Sequence, residues 1–450
     1  MKKCFILCML IAVLSIGCDD DSSNSSDAAT FRVSGDIPHG SYLSLRHNLN
    51  QDNLTFTAQF VKDGCIYDYD DYRTNFATEL LIKQIDPETF DSGSVSYVSA
   101  VTLQNGDVLI AYRDGDNSGY GTFVIYSSSG SPVAGPTVFN EADTSCISTS
   151  LLETGNVFIA YSDGGNSDSW TFVIYDESGD HFGGPHSFLD IPSNCISTTS
   201  LLNGNIILAF CSSSSGSGNF AVGSSSGSPL AGPFTFNSGA TSNVSTLTLS
   251  NGNLLIAYTD GSNSGYGTFV IYNTSWTCVA GPTIFSSSPT GAISTTLLSD
   301  GSVFIAYCDQ GNSGYGTLVI YDESGNSTYG PAPFDNTRAD YISAVTMNSG
   351  LVFVAYGEDN SSSAGRYALC TSYGSVISGP EYFDDYYAFD ISATVLSTRS
   401  VLVAYRGNDD DGRFLLLGPQ CLQLEKVNSS EVRLWNFSGE TLESVLAVDR

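Results

Sequence analysis

Apolar runs of about five residues recur along most of this chain, separated by clusters of Gly, Asn, Asp and Ser. Runs that short are strands joined by tight turns, and no 3.6-residue period marks a helix among them. Residues 293 to 334 show the phrase in full. Ile-Ser-Thr-Thr-Leu-Leu leads through a Ser-Asp-Gly turn to Val-Phe-Ile-Ala-Tyr, and a Gly-rich loop leads to Thr-Leu-Val-Ile-Tyr. An Asp-Glu-Ser-Gly turn then precedes a segment ending Gly-Pro-Ala-Pro-Phe, so the pattern predicts four short strands. Pairs such as Asn105-Gly106 and Asn251-Gly252 supply the positive φ that tight hairpins require. The second and third strands, for example 157 to 161 and 171 to 175, lack polar alternation, so both faces of each sheet must be covered.

The phrase is a repeat. Its Ala-aromatic pair recurs at Ala111-Tyr112, Ala160-Tyr161, Ala209-Phe210, Ala257-Tyr258, Ala306-Tyr307, Ala355-Tyr356 and Ala404-Tyr405, always 48 or 49 residues apart. A unit of this length, with four antiparallel strands whose centre needs neighbours on both sides, is the signature of a β-propeller blade. Residues 80–418 resemble seven-bladed propellers in general and lack the Trp-Asp ending of WD repeats. Asp86-Pro87-Glu88-Thr89-Phe90 aligns with Gly135-Pro136-Thr137-Val138-Phe139 as a fourth strand without its first three, and the seventh unit lacks a fourth. The expectation is an all-β fold, a seven-bladed β-propeller of four-stranded antiparallel blades. An N-terminal strand joining the last blade would remove the free sheet edges. The flanking segments 31–79 and 419–450 carry further strand-like runs, and either cap the ring or pair into an eighth blade.

Lys2 and Lys3 precede an apolar run from Cys4 to Ile16, too short to span a bilayer and placed as in an export signal. Leu14-Ser15-Ile16-Gly17-Cys18 resembles the lipobox of bacterial lipoproteins. That resemblance implies that residues 1–17 are removed and that acylated Cys18 anchors the chain in a lipid bilayer. The alternative is an ordinary secretory signal with a chance cysteine. Residues 18–30 are acidic and Ser-rich with little to bury, and read as a flexible tether. The expected location is the bacterial cell envelope, at the outer membrane or cell surface in preference to the inner membrane.

Charge narrows the partners. Lys and Arg total 16 against 47 Asp and Glu, a net charge of -31, which repels phosphate backbones and argues against nucleic acid. With only 14% charged residues and 25 each of Tyr and Phe, the chain has ample material for an aromatic core.

Candidate chemistry centres on the loops between second and third strands, which share a ring face with the connections between blades. Asp114, Asp116 and Ser118 alternate before Gly119 as in the first half of a calcium loop, but no Glu completes the set. The competing reading is that Asp and Asn bond their own backbone to hold a tight turn. Tyr120, Tyr266 and Tyr315, with Trp170 in unit two, either stack on a sugar or pack over their own blade. Arg113 and Arg406 follow the second-strand aromatic in units one and seven, and either hold an anionic group together or balance the acidic face. Every first strand carries Ser at one register, at 99, 148, 197, 245, 294, 343 and 392, where converging strands need a small side chain. Two residues earlier the register varies: Tyr97, Cys146, Cys195, Asn243, Ala292, Tyr341 and Asp390. Specificity can reside in such variation within a constant frame.

Cys146 and Cys195 occupy equivalent places on neighbouring units, and Cys65 and Cys421 lie in the two extensions, so each pair is a disulfide candidate in an oxidising envelope. No catalytic spacing stands out. His39, His47, His181 and His186 do not form a zinc pattern, there is no nucleophile elbow, and the Asp-box repeats of sialidases are absent. The leading expectation is an anchored propeller that binds a glycan or protein without catalysis, with calcium as the one cofactor candidate. An extracytoplasmic carbohydrate-active enzyme and a structural scaffold of an envelope complex are the alternatives.

Overall fold

The computed structural model describes residues 31–37, 41–46, 55–62, 65–69, 81–358, 363–396, 400–419, 422–428, 431–436 and 442–449. The Cys4 to Ile16 run, Cys18, the tether 18–30 and Cys421 lie outside the described residues. The chain divides into two compact units, Thr78–Gln420 and a second made of Met1–Ala77 with Cys421–Arg450.

The larger unit is all-β. Its first repeat runs Val95–Thr102, Val108–Asp114, Tyr120–Tyr126 and Pro132–Asn140, paired antiparallel in sequence order. The same meander recurs along the chain. In three places the fourth strand of one repeat continues into the first strand of the next, within His181–Ser200, Cys278–Leu297 and Ser327–Thr346. The seventh repeat contributes Phe389–Val395, Val401–Arg406 and Gly412–Pro419, and its fourth strand is Leu81–Asp91, which pairs antiparallel to the third from Gly412↔Asp91 to Pro419↔Leu81.

The continuous apolar strands lie where their composition requires. Val108, Leu109, Ile110, Ala111 and Tyr112 are all fully buried, because each sheet packs on a neighbour across both faces. Among the described residues, buried side chains gather into seven clusters, each between two consecutive repeats. One of them joins Leu402, Phe414 and Leu416 of the seventh repeat with Val95, Ile110 and Tyr112 of the first. Fourth-strand aromatics connect neighbours: Phe90 meets Tyr112 at 5.1 Å, Phe139 meets Tyr161 at 5.1 Å, and Phe383 meets Tyr405 at 5.4 Å. Gly121 leaves room for this arrangement, since a Cβ there would overlap the Phe139 ring.

The invariant serines do more than fit. Each Oγ accepts the backbone N–H of the residue that follows the equivalent serine in the next repeat. The first is Thr149 N to Ser99 at 3.1 Å, and the seventh is Ala100 N to Ser392 at 2.9 Å. Six bonds run forward along the chain and the last returns from the seventh repeat to the first.

The smaller unit contains a four-stranded sheet, in which Leu442–Asp449 lies between Phe31–Ile37 and Thr55–Lys62, with Cys65–Tyr69 beyond. A three-stranded sheet joins Ser41–Arg46, Glu431–Asn436 and Leu422–Asn428. These orders interleave the two extensions and are not the sequential meander of a repeat. The extension strands thus pair with one another in a unit of their own.

Candidate functional site

Each first strand carries a β-bulge at one place, between Ser96 and Ser99 in the first repeat and between Phe389 and Ser392 in the seventh. All seven first strands share it. A bulge re-aims the side chain it carries. Here it holds Tyr97, Cys146, Asn243, Tyr341 and Asp390 at φ between 48° and 54°, a left-handed conformation that non-glycine residues adopt at a cost of about 1–3 kcal/mol. The variable register sits on this bulge. Its seven residues, together with the Val or Ile that follows each, line one concavity of about 340 Å³. The variable residues form a rim shared with Val98, Ile147, Ile196, Val244, Ile293, Ile342 and Ile391.

The rim is unequal around its circumference. Tyr97 and Tyr341 are 42% and 40% exposed, and Asp390 belongs to the repeat that follows that of Tyr341. Asp390 Oδ2 accepts the Tyr97 N–H at 3.3 Å and lies 3.3 Å from Arg406 Nε. Burial nevertheless raises the Asp390 carboxyl above its ordinary range, the arginine opposing the shift. Burial also raises the Tyr97 hydroxyl, followed by the negative potential of Cys146 and Asp390. On another sector Asn243 Nδ2 donates to Thr259 Oγ1 at 3.2 Å.

The loop residues singled out from sequence do not line this concavity. Trp170 is 1% exposed and packs edge-on against Phe210 at 5.2 Å. Its expected role as a sugar platform is corrected: Trp170 stands where Gly121 stands in the first repeat and is buried in the cluster shared by the second and third repeats. Tyr120, Tyr266 and Tyr315 open their third strands half-buried. Arg113 and Arg406 do not converge on a shared opening. Arg113 is bound to Asp143 at 2.8 Å, while Arg406 lies 3.3 Å from both Asp390 and Asp410 and 4.9 Å over the Phe389 ring. In so acidic a chain each guanidinium finds carboxylates nearby.

Asp114 Oδ1 accepts the Asn117 N–H at 3.0 Å, and Ser118 takes φ 60° to turn the chain. Asp163, Asp260 and Asp309 cap the equivalent loops in the same way, accepting from Gly165, Ser262 and Gly311. Among the described residues no group of three or more His, Cys, Asp or Glu is gathered to hold a metal ion, and Asp114 and Asp116 belong to no such group.

The disulfide expectation for Cys146 and Cys195 is also corrected. Cys195 is bonded to Cys211, with Cα atoms 5.4 Å apart, and Cys146 is a half-buried free thiol. Cys211 follows the second-strand aromatic of the third repeat, directly beside the bulge that carries Cys195, so the nearer partner lies within the repeat. Cys65 begins a strand of the smaller unit, and its suggested partner Cys421 is outside the described residues.

A second pocket, of about 270 Å³, lies in the sixth repeat and the start of the seventh, lined by Arg338, Asp340, Tyr341, Gly357, Glu358, Ser363, Ala388 and Phe389. Glu358 is buried there, which nothing in its loop sequence signals.

No protein-family model matches the chain, and no curated protein matches it. Similar solved structures include a copper-bound fungal alcohol oxidase of the AA5 family, with 15% identity, 75% of this chain and 76% of that one covered, and a TM-score of 0.54. SapL1 lectin in complex with α-methyl fucoside has 14% identity, with 65% and 97% covered and a TM-score of 0.44. NanB sialidase from Streptococcus pneumoniae has 13% identity, with 74% and 70% covered and a TM-score of 0.43. At these identities the likeness concerns the all-β fold alone.

Proposed function

We propose that residues 81–419 form a closed seven-bladed β-propeller whose axial mouth binds a glycan without transforming it. Closure is supported by the serine bond from the seventh repeat to the first, by Leu81–Asp91 as the fourth strand of the last repeat, and by the cluster those repeats share. One observation carries the binding reading: seven residues with a common backbone placement and different chemistry surround a single concavity. Structure alone would favour one small residue at all seven positions, as it does at the serine register.

The glycan assignment follows from the sector of Tyr341, Asp390 and Tyr97. Exposed ring faces stack on the apolar faces of sugars, and a carboxyl between them accepts hydroxyl donors. Glycan-array screening of the full-length protein, followed by calorimetric titration of hits, tests this. Tyr97→Ala is expected to weaken binding at least tenfold; absence of any glycan binding would end the reading, and released product in the same mixtures would replace it with an enzyme. The lipobox resemblance supports an anchor at Cys18 in the bacterial envelope. Fatty-acid labelling that survives Cys18→Ala would remove that part.

A further inference from the structure

We infer that, resting on the glycan reading above, the axial mouth recognises hydroxyl donors on its ligand through two acceptor oxygens, Asp390 Oδ1 and Asn243 Oδ1. Arg406 and Thr259 are the positioning residues that leave those oxygens open. Asp390 and Asn243 hold the same register in the seventh and fourth repeats, and both line the concavity. On a closed ring of seven these repeats stand across the mouth from each other.

Each of the two side chains is held at one end by the second strand of its own repeat. Asp390 Oδ2 lies 3.3 Å from Arg406 Nε and accepts the Tyr97 N–H at 3.3 Å, so both contacts fall on one oxygen. Among the described residues no group donates to Oδ1, and the buried oxygens that lack a partner do not include it. The side chain keeps 20% of its surface exposed. Thr259 orients the amide. Its hydroxyl has a single proton and gives it to the Thr290 carbonyl at 3.0 Å, so Oγ1 can only accept from Asn243, as it does from Nδ2 at 3.2 Å. An amide fixed by its nitrogen leaves Oδ1 at the other end, and Asn243 is exposed. Arg406 and Thr259 each follow the second-strand aromatic, and at the same place in the third repeat Cys211 holds Cys195 covalently. The hold on the rim from this register therefore recurs with three chemistries.

A carboxylate and an amide carbonyl accept and do not donate, so they select O–H groups on a ligand. A ligand whose hydroxyls are capped offers them nothing. The groups that face Asp390 are Arg406, with Asp410 3.3 Å beyond it, and Tyr97 from the first repeat. Burial raises the Asp390 carboxyl and Arg406 opposes the rise, so Arg406 also keeps the acceptor ionised.

The experiment titrates full-length protein with the methyl glycosides of glucose, galactose and mannose, with myo-inositol, and with the fully O-methylated form of each, by calorimetry and saturation-transfer NMR. Titrations are repeated on Thr259→Val, Thr259→Ser, Asn243→Ala, Arg406→Gln and Arg406→Lys. The expected result is that a hydroxylated probe binds and its O-methylated form does not, and that Thr259→Val and Asn243→Ala each weaken binding about tenfold while Thr259→Ser restores it. Arg406→Gln should move the loss of binding at low pH to higher pH, and Arg406→Lys should not. Binding that survives O-methylation, or a Thr259→Ser protein as weak as Thr259→Val, would overturn the inference and leave the glycan reading standing. Should Thr259→Val fail to fold, full binding by Asn243→Ala would overturn it equally. If myo-inositol alone binds and responds to the variants, the donor-reading mouth stands and the glycan reading falls; if no probe binds, both fall.

Discussion

Ser392 Oγ accepts a hydrogen bond of 2.9 Å from the backbone N–H of Ala100, 292 positions earlier in the chain. The same bond joins every other pair of consecutive repeats, so the seventh repeat treats the first as its successor. Ser392→Ala is expected to cost about 1 kcal/mol and to speed hydrogen exchange at the Ala100 amide, as Ser197→Ala should at Thr246. A silent Ser392→Ala beside a destabilising Ser197→Ala would mean that the chain ends are not joined.

Phe90 tests closure through packing. It faces Tyr112 at 5.1 Å and sits over Gly412, 322 residues away in sequence. Phe90→Ala should cost about 3–5 kcal/mol, comparable with Phe383→Ala, which opens an interface formed by consecutive segments. Denaturant midpoints of the two variants make the comparison, and a neutral Phe90→Ala would detach the N-terminal strand from the last repeat.

Trp170 separates architecture from binding. Trp170→Gly restores the residue found at the equivalent place in the first repeat but leaves a void beside Phe210, so stability should fall by about 3–5 kcal/mol. Trp170→Phe should be milder and leave glycan affinity unchanged. A large affinity loss in a well-folded Trp170→Phe protein would return this side chain to the binding site.

Thiol reactivity follows burial. Burial pushes the Cys308 and Cys370 thiols up to about 12, so at pH 8 each is a thiolate only about one part in 10⁴. Peptide mapping after brief alkylation of native protein should find Cys278, which is exposed, modified first, and Cys146 later. Cys308 and Cys370 should react only after unfolding, and Cys195 and Cys211 only after reduction. Rapid labelling of Cys308 would contradict the tight interface between the fifth and sixth repeats.

Asp390 sets a pH dependence whose sign follows from burial. Its carboxyl titrates above the ordinary 3.8, so the folded state binds the proton more tightly than the unfolded chain. Its contribution is present below that value and is lost as pH rises through the folded pKa, by about 1.4 kcal/mol for each tenfold change in acid constant. Urea midpoints across this range should fall in the native protein and flatten in Asp390→Asn. A steeper fall in the variant would reverse the assignment.

Much of the scaffold was legible because it repeats. The Ala-Tyr period located the buried second strands, and the orphan Asp86-to-Phe90 segment announced the strand that completes the seventh repeat. The site was legible only in part. Tyr97, Tyr341 and Asp390 stood out as variation at a constant register, whereas the sugar-platform reading of Trp170 failed because an aromatic in a loop and an aromatic filling an interface look alike in sequence. Thr259 offered no signal, since the end of the Asn243 amide that it holds depends on where Thr290 lies.

The chain by itself determined where the buried second and third strands lie, the repeat period and the order of pairing within a repeat, because these follow from local periodicity and turn chemistry. Tertiary structure alone decided which side chains share a concavity, which cysteine meets Cys195 and which carboxylate oxygen is left unpaired. Such outcomes depend on distances between residues tens to hundreds of positions apart, and solvent exclusion at those places sets the energy of each charge.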